Sequence, residues 1–358
     1  MEFKRTFKRL KKDVWAIVSL TYILLICFTA VFAYQIVPDK TENANQMHLS
    51  IHSQPPGFSC KILMIPGPLE TEKKFSLSGQ INSSDEIPIQ EIIWKEDAIF
   101  FKRYGNATNY FEEVSFDLFP KELSKKEIEK TYLKNKYFFL GTDKYGRDLF
   151  SRLIIGSRIS ISIGFVAVII SLILGLFFGM LAGFYGGWID RFILWLINVV
   201  WSIPTLLMVI AITLALGRGF WQVFVAVGLT MWVEVARLTR GLVKTAKEEL
   251  FIKAGKILGF SKGRLILNHI LPITIAPLIV ISTSNFASAI LVESGLSFLG
   301  IGAQPPIPSW GSMVKDHFRY LLLGKPFLTL VPGIAIMTLV LSFMILGNSL
   351  RDALDVRN

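Results

Sequence analysis

Residues 244–272 read KTAKEELFIKAGKILGFSKGRLILNHILP, a basic, polar island between two long apolar runs. Leu250, Ala254, Ile257 and Leu258 recur at helical spacing, while Lys247, Lys253 and Lys256 fall on other faces, so the island opens as a short amphipathic helix. Gly259 breaks it, Ser261 is placed to cap a second short helix, and Pro272 falls in the first turn of the apolar helix that follows. The expected result is a bent helix pair lying on a membrane surface. An amphipathic helix projecting from a membrane domain suits an apolar and charged groove on a partner protein. The competing reading is a loop whose basic residues only hold topology.

Outward from this island the chain is unlike an ordinary soluble domain. Of 358 residues 52% are hydrophobic and only 18% are charged, the composition of a polytopic membrane protein. The formal net charge of +11 does not point to nucleic acid, because the basic residues cluster at 4–12 and 237–264, each cluster flanking an apolar run. That is the positive-inside pattern of cytoplasmic segments. Cys27 lies inside the first apolar run and Cys60 well beyond it, so they form neither a disulfide framework nor a metal site and are expected as free thiols.

Residues 1–13 are a basic cytoplasmic N-terminus, and 14–37 are an uncleaved first span, too long for a signal peptide and followed by no small-x-small site. Residues 38–139 form an extracytoplasmic insert with turns at Pro55-Pro56-Gly57 and Pro66-Gly67-Pro68, and with strand-like pieces at 91–94 and 98–101. Residues 121–135 are expected to be helical, giving a small mixed or mainly β subdomain. Its N-x-S/T matches at Asn82 and Asn106 read as chance. Further spans are expected at about 160–183, 192–216, 220–236, 273–296 and 327–347, followed by a charged tail over 351–358. Six crossings return the C-terminus to the cytoplasm and place 244–272 there too, in agreement with the N-terminal charge.

Several features within the spans carry more than hydropathy. Gly175, Gly179 and Gly183 repeat at four-residue spacing, which lets another helix approach closely. Ser202 and Pro204 interrupt the third span and are expected to bend it, and Gly217-Arg218-Gly219 is a tight reversal. Ser282, Thr283, Ser284, Asn285 and Ser288 form a polar cluster that is costly against lipid, so Asn285 and Ser288 are candidates for a water-filled translocation path. Glu293 is the sharpest ionisable residue in an apolar setting. By the alternation of spans it lies toward the same membrane side as Arg158, and a pairing of the two is expected either as a gate latch or as a satisfied buried charge.

Catalytic signatures are missing from the sequence. There is no Gly-x-x-x-x-Gly-Lys-Ser/Thr phosphate loop and no Gly-x-Ser-x-Gly elbow, and His48, His52, His269 and His317 have no zinc spacing. Among residues near the spans only Glu293 and Glu234 approach the ionisable pairs of an intramembrane enzyme. The chain is therefore expected not to be an enzyme.

Three runs carry a family resemblance. Gly141-Thr142-Asp143, Gly146-Arg147-Asp148, Ser151-Arg152 and Gly156 to Ser160 resemble the signature before the second span of the C-type permease subunit in dipeptide/oligopeptide ABC importers, and GFYGGWIDR at 183–191 is similar too. Lys253-Ala254-Gly255, Gly259 and His269 to Pro272 have the spacing of the "EAA" loop of ABC-importer permeases, with Lys253 where Glu is usual and Gly255 where a second Ala is usual. ESGLSFLGIG at 293–302, with Pro305, Pro306, Pro308, Ser309, Trp310 and Gly311, resembles the signature after the fifth span. Read without the family, the Asp and Arg residues of 140–160 suggest an ion-pair lattice at the membrane edge, a structural collar worth little if exposed.

The resemblance implies an all-α polytopic membrane protein with six transmembrane helices of the MetI-like permease type, its core at 140–350, and the β insert between helices 1 and 2. It implies peptide import, with nickel or another small solute as the alternative cargo. The implied partners are a second, B-type permease, two ATP-binding subunits using ATP and Mg, an extracytoplasmic solute-binding protein and membrane lipid; the implied place is the bacterial inner membrane, with no cofactor on this chain. Residues 244–272 become the coupling loop that docks on the ATPase, through Glu249, Leu250, Lys253, Ala254, Gly255, Leu258, Gly259, His269 and Pro272. Leu258 is then the apolar anchor, Glu249 a candidate charge partner, and Ala254, Gly255 and Gly259 are small so that the partner can approach. Two readings compete from other classes. A secondary transporter or channel would carry more ionisable residues in its spans, and a membrane-anchored binding or assembly protein acting through the insert would need only one span.

Overall fold

The computed structural model describes residues 9–67, 79–80, 84–95, 97–106, 110–120, 123–217 and 219–354. The basic residues before position 9, Pro68, the Asn82 sequence match, Lys121, Arg218 and the end of the tail at 355–358 lie outside the described residues. In chain order the elements are α1 (Val14–Val31), α2 (Ala33–Ile36), β1 (Phe58–Ile65), β2 (Asp85–Trp94), β3 (Ala98–Arg103), β4 (Glu112–Ser115), α3 (Lys125–Tyr132) and β5 (Leu133–Phe138). Then follow α4 (Leu149–Tyr185), α5 (Gly187–Trp201), α6 (Thr205–Leu216), α7 (Phe220–Glu248), α8 (Leu250–Ile257), α9 (Lys262–Leu265), α10 (Leu271–Leu299), α11 (Trp310–His317) and α12 (Phe327–Leu354).

Five of these stretches are long and apolar enough to cross a membrane: α1, α4, α7, the continuous run Lys262–Leu299, and α12. The pair α5 and α6 makes a sixth crossing if taken as one span broken by a 91° bend. The break falls at Ser202 to Pro204, where proline removes a backbone donor and the Ser202 hydroxyl turns back to donate to Val199 O at 2.7 Å. The helices overrun the apolar windows: α4 begins at Leu149 and α7 continues to Glu248. Hydropathy marks only the part of a helix that meets lipid, and the polar ends beyond it are helical because protein contacts satisfy them.

The chain divides into two compact units, Met1–Cys27 with Ile159–Gln304 and Gly333–Asn358, and Phe28–Arg158 with Pro305–Pro332. The second unit holds a five-stranded antiparallel sheet of order β4-β3-β2-β1-β5. The helix expected over 121–135 is shorter than that. Ser124 and Glu127 form a capping box that starts α3, but from Leu133 the chain pairs with β1, Leu133 opposite Leu63 and Phe138 opposite Phe58. Ladder pairing overrode a weak helical preference there. One sheet face carries Leu63, Ile89, Ile99 and Phe101 against Phe119 and Ile128; the other carries Cys60, Ile62 and Phe138 against Ile51.

The signature segment after the sheet is a buried lattice, not an exposed edge. Asp143 is fully buried; its Oδ1 accepts from the Tyr145 and Arg147 amides at 2.8 and 2.9 Å, and its Oδ2 from Arg147 Nε at 2.6 Å. Arg147 also donates to Asn45 Oδ1 at 2.9 Å, and Arg152 to Asn43 O at 3.2 Å, so the lattice ties residues 43–45 to the start of α4. Losing one member would strand a buried charge, costing about 3–5 kcal/mol, unlike an exposed pair. The second signature run packs here as well: Trp310 is buried, donates from Nε1 to Leu153 O at 2.8 Å, and lies against Gly156, where a Cβ would come within 3.2 Å of its ring.

In the first unit the core is built from Ile163 and Ala167 of α4, Val209 of α6, Val223, Phe224 and Val227 of α7, and Ala289 and Leu296 of α10. The glycine stripe of α4 faces α7. A Cβ on Gly179 would lie 2.6 Å from Ala236 O and from Thr239 Cβ, one on Gly183 2.7 Å from Val243 Cβ, and Gly175 meets Val235. Within the same unit α1 is fastened to α12, with Tyr22 Oη and Thr338 Oγ1 2.7 Å apart and Ser349 donating to Asp13.

Candidate functional site

The loop between α7 and α10 is built on local rules. Glu249 is the N-cap of α8, and Gly259 ends the helix in the left-handed conformation, φ +75°. A Cβ at Gly259 would meet nothing within 4 Å, so the requirement for glycine is conformational. Ser261 Oγ accepts from the Arg264 amide at 3.3 Å and starts α9. The chain does not break again before the span. Residues 266–270 form a π turn that carries α9 straight into α10, with Pro272 in the first turn of α10, where its missing N–H costs little. His269 is structural within that turn, its Nδ1 3.2 Å from Arg264 O and its ring near Phe260.

Two faces of α8 differ sharply. Ile252 is fully buried with Leu265 and Ile270 against Met180 and Phe184 of α4 and Val243 and Ala246 of α7. Gly255 faces the same way, with a Cβ there meeting Leu265 Cδ2 at 3.0 Å and Phe260 Cδ2 at 3.1 Å, so its small size serves packing within the loop rather than approach by a partner. Leu250, Ile257 and Leu258 are 83%, 88% and 73% exposed, with Ala254 and Glu249 exposed alongside. Lys253 Nζ pairs with Glu248 Oε2 at 2.9 Å, leaving Glu249 as the acidic group on that rim with no ion pair among the described residues.

A second set of contacts bolts this loop to the neighbouring helices. Asp190, in the first turn of α5, accepts from Arg240 in a two-point pairing and from Lys244 Nζ at 2.7 Å. Lys247 Nζ donates to Phe184 O at 2.7 Å, capping the end of α4. The basic stretch thus holds the α4–α5 turn, a role that the sequence hinted at only through Asp190 in the first turn after Gly186-Gly187.

The polar cluster on α10 is divided. Ser282 and Thr283 donate to Leu278 O and Val280 O of their own helix, while Asn285 is buried and its amide nitrogen has no hydrogen-bond partner among the described residues. Glu293 is buried and accepts from Ser297 Oγ at 2.6 Å. Arg158 belongs to the other unit, its guanidinium 5.3 Å from the Tyr34 ring centre. Ser288 lines a cavity of about 220 Å³ at the break between α5 and α6, together with Trp201, Thr205, Thr230 and Glu234. Among the described residues no cluster of three His, Cys, Asp or Glu side chains is arranged to hold a metal.

Residues 175–357 match the family model described as "Binding-protein-dependent transport system inner membrane component", and residues 2–56 match "N-terminal TM domain of oligopeptide transport permease C". The chain is 42% identical over 217 residues to the dipeptide transport system permease protein DppC of Alkalihalophilus pseudofirmus, spanning 61% of this chain and 71% of that one. It is 40% identical over the same length to the glutathione transport system permease protein GsiD of Escherichia coli O157:H7, again with 61% and 71% covered. Two crystal forms of the MetNI methionine ABC transporter in inward-facing conformations superpose with TM-scores of 0.42 and 0.44 at 19% and 18% identity, over 56% of this chain and 95% of theirs.

Proposed function

The chain belongs to the family of binding-protein-dependent transport system inner membrane components, and on that premise we propose that it forms one transmembrane half of an ABC importer for peptides, worked through the α8 surface. It is a multi-pass membrane permease of a transport family, not of a known enzyme family. Its counterpart is a second, B-type permease; two ATP-binding subunits hydrolyse ATP with Mg, and an extracytoplasmic solute-binding protein delivers the cargo. The chain sits in the inner membrane with its termini and the α8 loop in the cytoplasm, where the clustered Lys and Arg residues favour them.

One observation carries the coupling role. Leu250, Ile257 and Leu258 stand exposed on a short helix whose opposite face, Ile252 and Gly255, is locked into the ends of α4 and α7. Each such apolar side chain gains about 1.5–3 kcal/mol on full burial, so a groove on the ATPase is the economical place for them. Because α8 is packed on α4 and α7 and bolted through Asp190, displacement of the loop moves whole helices rather than a flexible tether. ATP-driven closure of the ATPases would then tilt the spans between inward-open and outward-open arrangements.

The test is co-purification from detergent-solubilised membranes of the intact chain and of Leu258→Asp, a change at an exposed position that leaves the loop's own packing in place. The intact chain should bring down an ATPase and a second permease, and the variant should lose the ATPase and keep the permease. Equal ATPase recovery with the variant would refute docking through this face.

A further inference from the structure

Glu234 is a carboxylate placed where a membrane protein seldom keeps one idly. It lies about 21 Å along α7 from Phe220, at 1.5 Å per residue, within a hydrocarbon core of about 30 Å. Its side chain is exposed and makes no hydrogen bond or ion pair with the described residues. Arg237, one turn further along the same helix, makes no ion pair with it among the described residues; its guanidinium lies 4.0 Å from the centre of the Trp201 ring. An unpaired ionisable group inside a span faces a water-filled path or a binding site, because lipid would tax it heavily.

The path is present beside it. Glu234 lines the cavity of about 220 Å³ at the broken span, with Trp201, Thr205, Thr230 and Ser288. The break exposes the C-terminal end of α5 at Trp201 and Ser202, and the carbonyl end of a half-helix is electronegative. The Trp201 ring already carries the Arg237 guanidinium, but two threonine hydroxyls, a serine hydroxyl, a helix C-terminus and a carboxylate favour a cation that also donates hydrogen bonds. The volume is below the usual range of about 300–1,000 Å³ for a whole small-molecule ligand, so the cavity fits one end of a cargo molecule.

We propose that Glu234 is a specificity-determining residue of the translocation path, receiving the terminal ammonium of a peptide at the α5–α6 break during passage. This rests on the importer reading above. The selectivity it adds is applied inside the membrane, after the solute-binding protein has released its cargo, and works on the charge of the amino terminus whatever the side chains.

The experiment uses the complete transporter with its binding protein in proteoliposomes, comparing wild type, Glu234→Gln and Glu234→Asp with a peptide bearing a free amino terminus and with its N-acetylated copy. Glu234→Gln should lower the maximal uptake of the free-amine peptide about tenfold while leaving the half-saturating concentration unchanged, and Glu234→Asp should restore most of the rate. The acetylated peptide should be carried no faster by wild type than by Glu234→Gln. Uptake of the free-amine peptide by Glu234→Gln within twofold of wild type would overturn the proposal, as would an equal loss for both peptides. Loss of the second permease from the purified Glu234→Gln complex would also overturn it, by showing a role in assembly. Absence of peptide uptake by the wild-type complex would instead bring down the importer reading itself, and this proposal with it.

Discussion

Glu86 shows how a single side chain is tuned by its neighbours in the insert. Its Oε2 lies 2.9 Å from Lys136 Nζ and 3.2 Å from His48 Nε2. Burial by itself would raise the carboxyl, but the His48 and Lys136 contacts outweigh it and hold the group at about 2, below its ordinary 4.5. A carboxylate with a depressed folded value stabilises the fold above its unfolded value and loses that contribution as pH falls through the folded one. The full-length chain in detergent should therefore melt higher than Glu86→Gln at pH 7, with the gap, on the order of 2 kcal/mol, closing between pH 4.5 and 2. A gap that persisted unchanged at pH 2 would contradict this. At the same scale, Gly255 and Gly259 look alike in sequence yet answer to different causes, one to the Leu265 and Phe260 side chains and the other to its own φ.

Among the elements, α4 and α7 make the closest contact that the sequence announced. Gly175, Gly179 and Gly183 were readable as a packing stripe, but their partner was not, because a four-residue repeat states that some helix approaches and not which one. The partner is α7, through Val235, Ala236, Thr239 and Val243. Gly179→Leu should push these helices apart, since a Cβ alone would lie 2.6 Å from a backbone oxygen. Loss of the monodisperse folded chain on size-exclusion chromatography, or a melting temperature lowered by several degrees, is the expected result, while Gly241→Ala, where a Cβ meets nothing within 4 Å, should melt within a degree or two of wild type. The β5 strand illustrates the opposite case: residues 133–135 looked helical locally, and pairing with β1 decided otherwise.

For the whole molecule, the proposed topology counts α5 and α6 as one crossing, and six crossings would then put the insert and the α8 loop on opposite sides of the membrane. In a Cys27→Ser, Cys60→Ser background, Glu113→Cys on β4 should react with a membrane-impermeant thiol reagent in intact spheroplasts, and Lys262→Cys only after permeabilisation. Reaction of both in intact spheroplasts would break the topology. Hydropathy, charge clusters and motif spacing along the chain were sufficient for the membrane class, the β character of the insert, the bent loop at 244–272 and its family, because each depends on local periodicity or on residue types at short separations. Which groups meet across long separations required the folded chain: the burial of Asp143 beside Arg147 and Arg152, the seating of Ile252 on α4 and α7, the bolting of Asp190 by Arg240 and Lys244, and the joining of Glu234 to Ser288 around a broken helix. Such contacts are set by packing between elements, and one-dimensional spacing does not encode which faces come together.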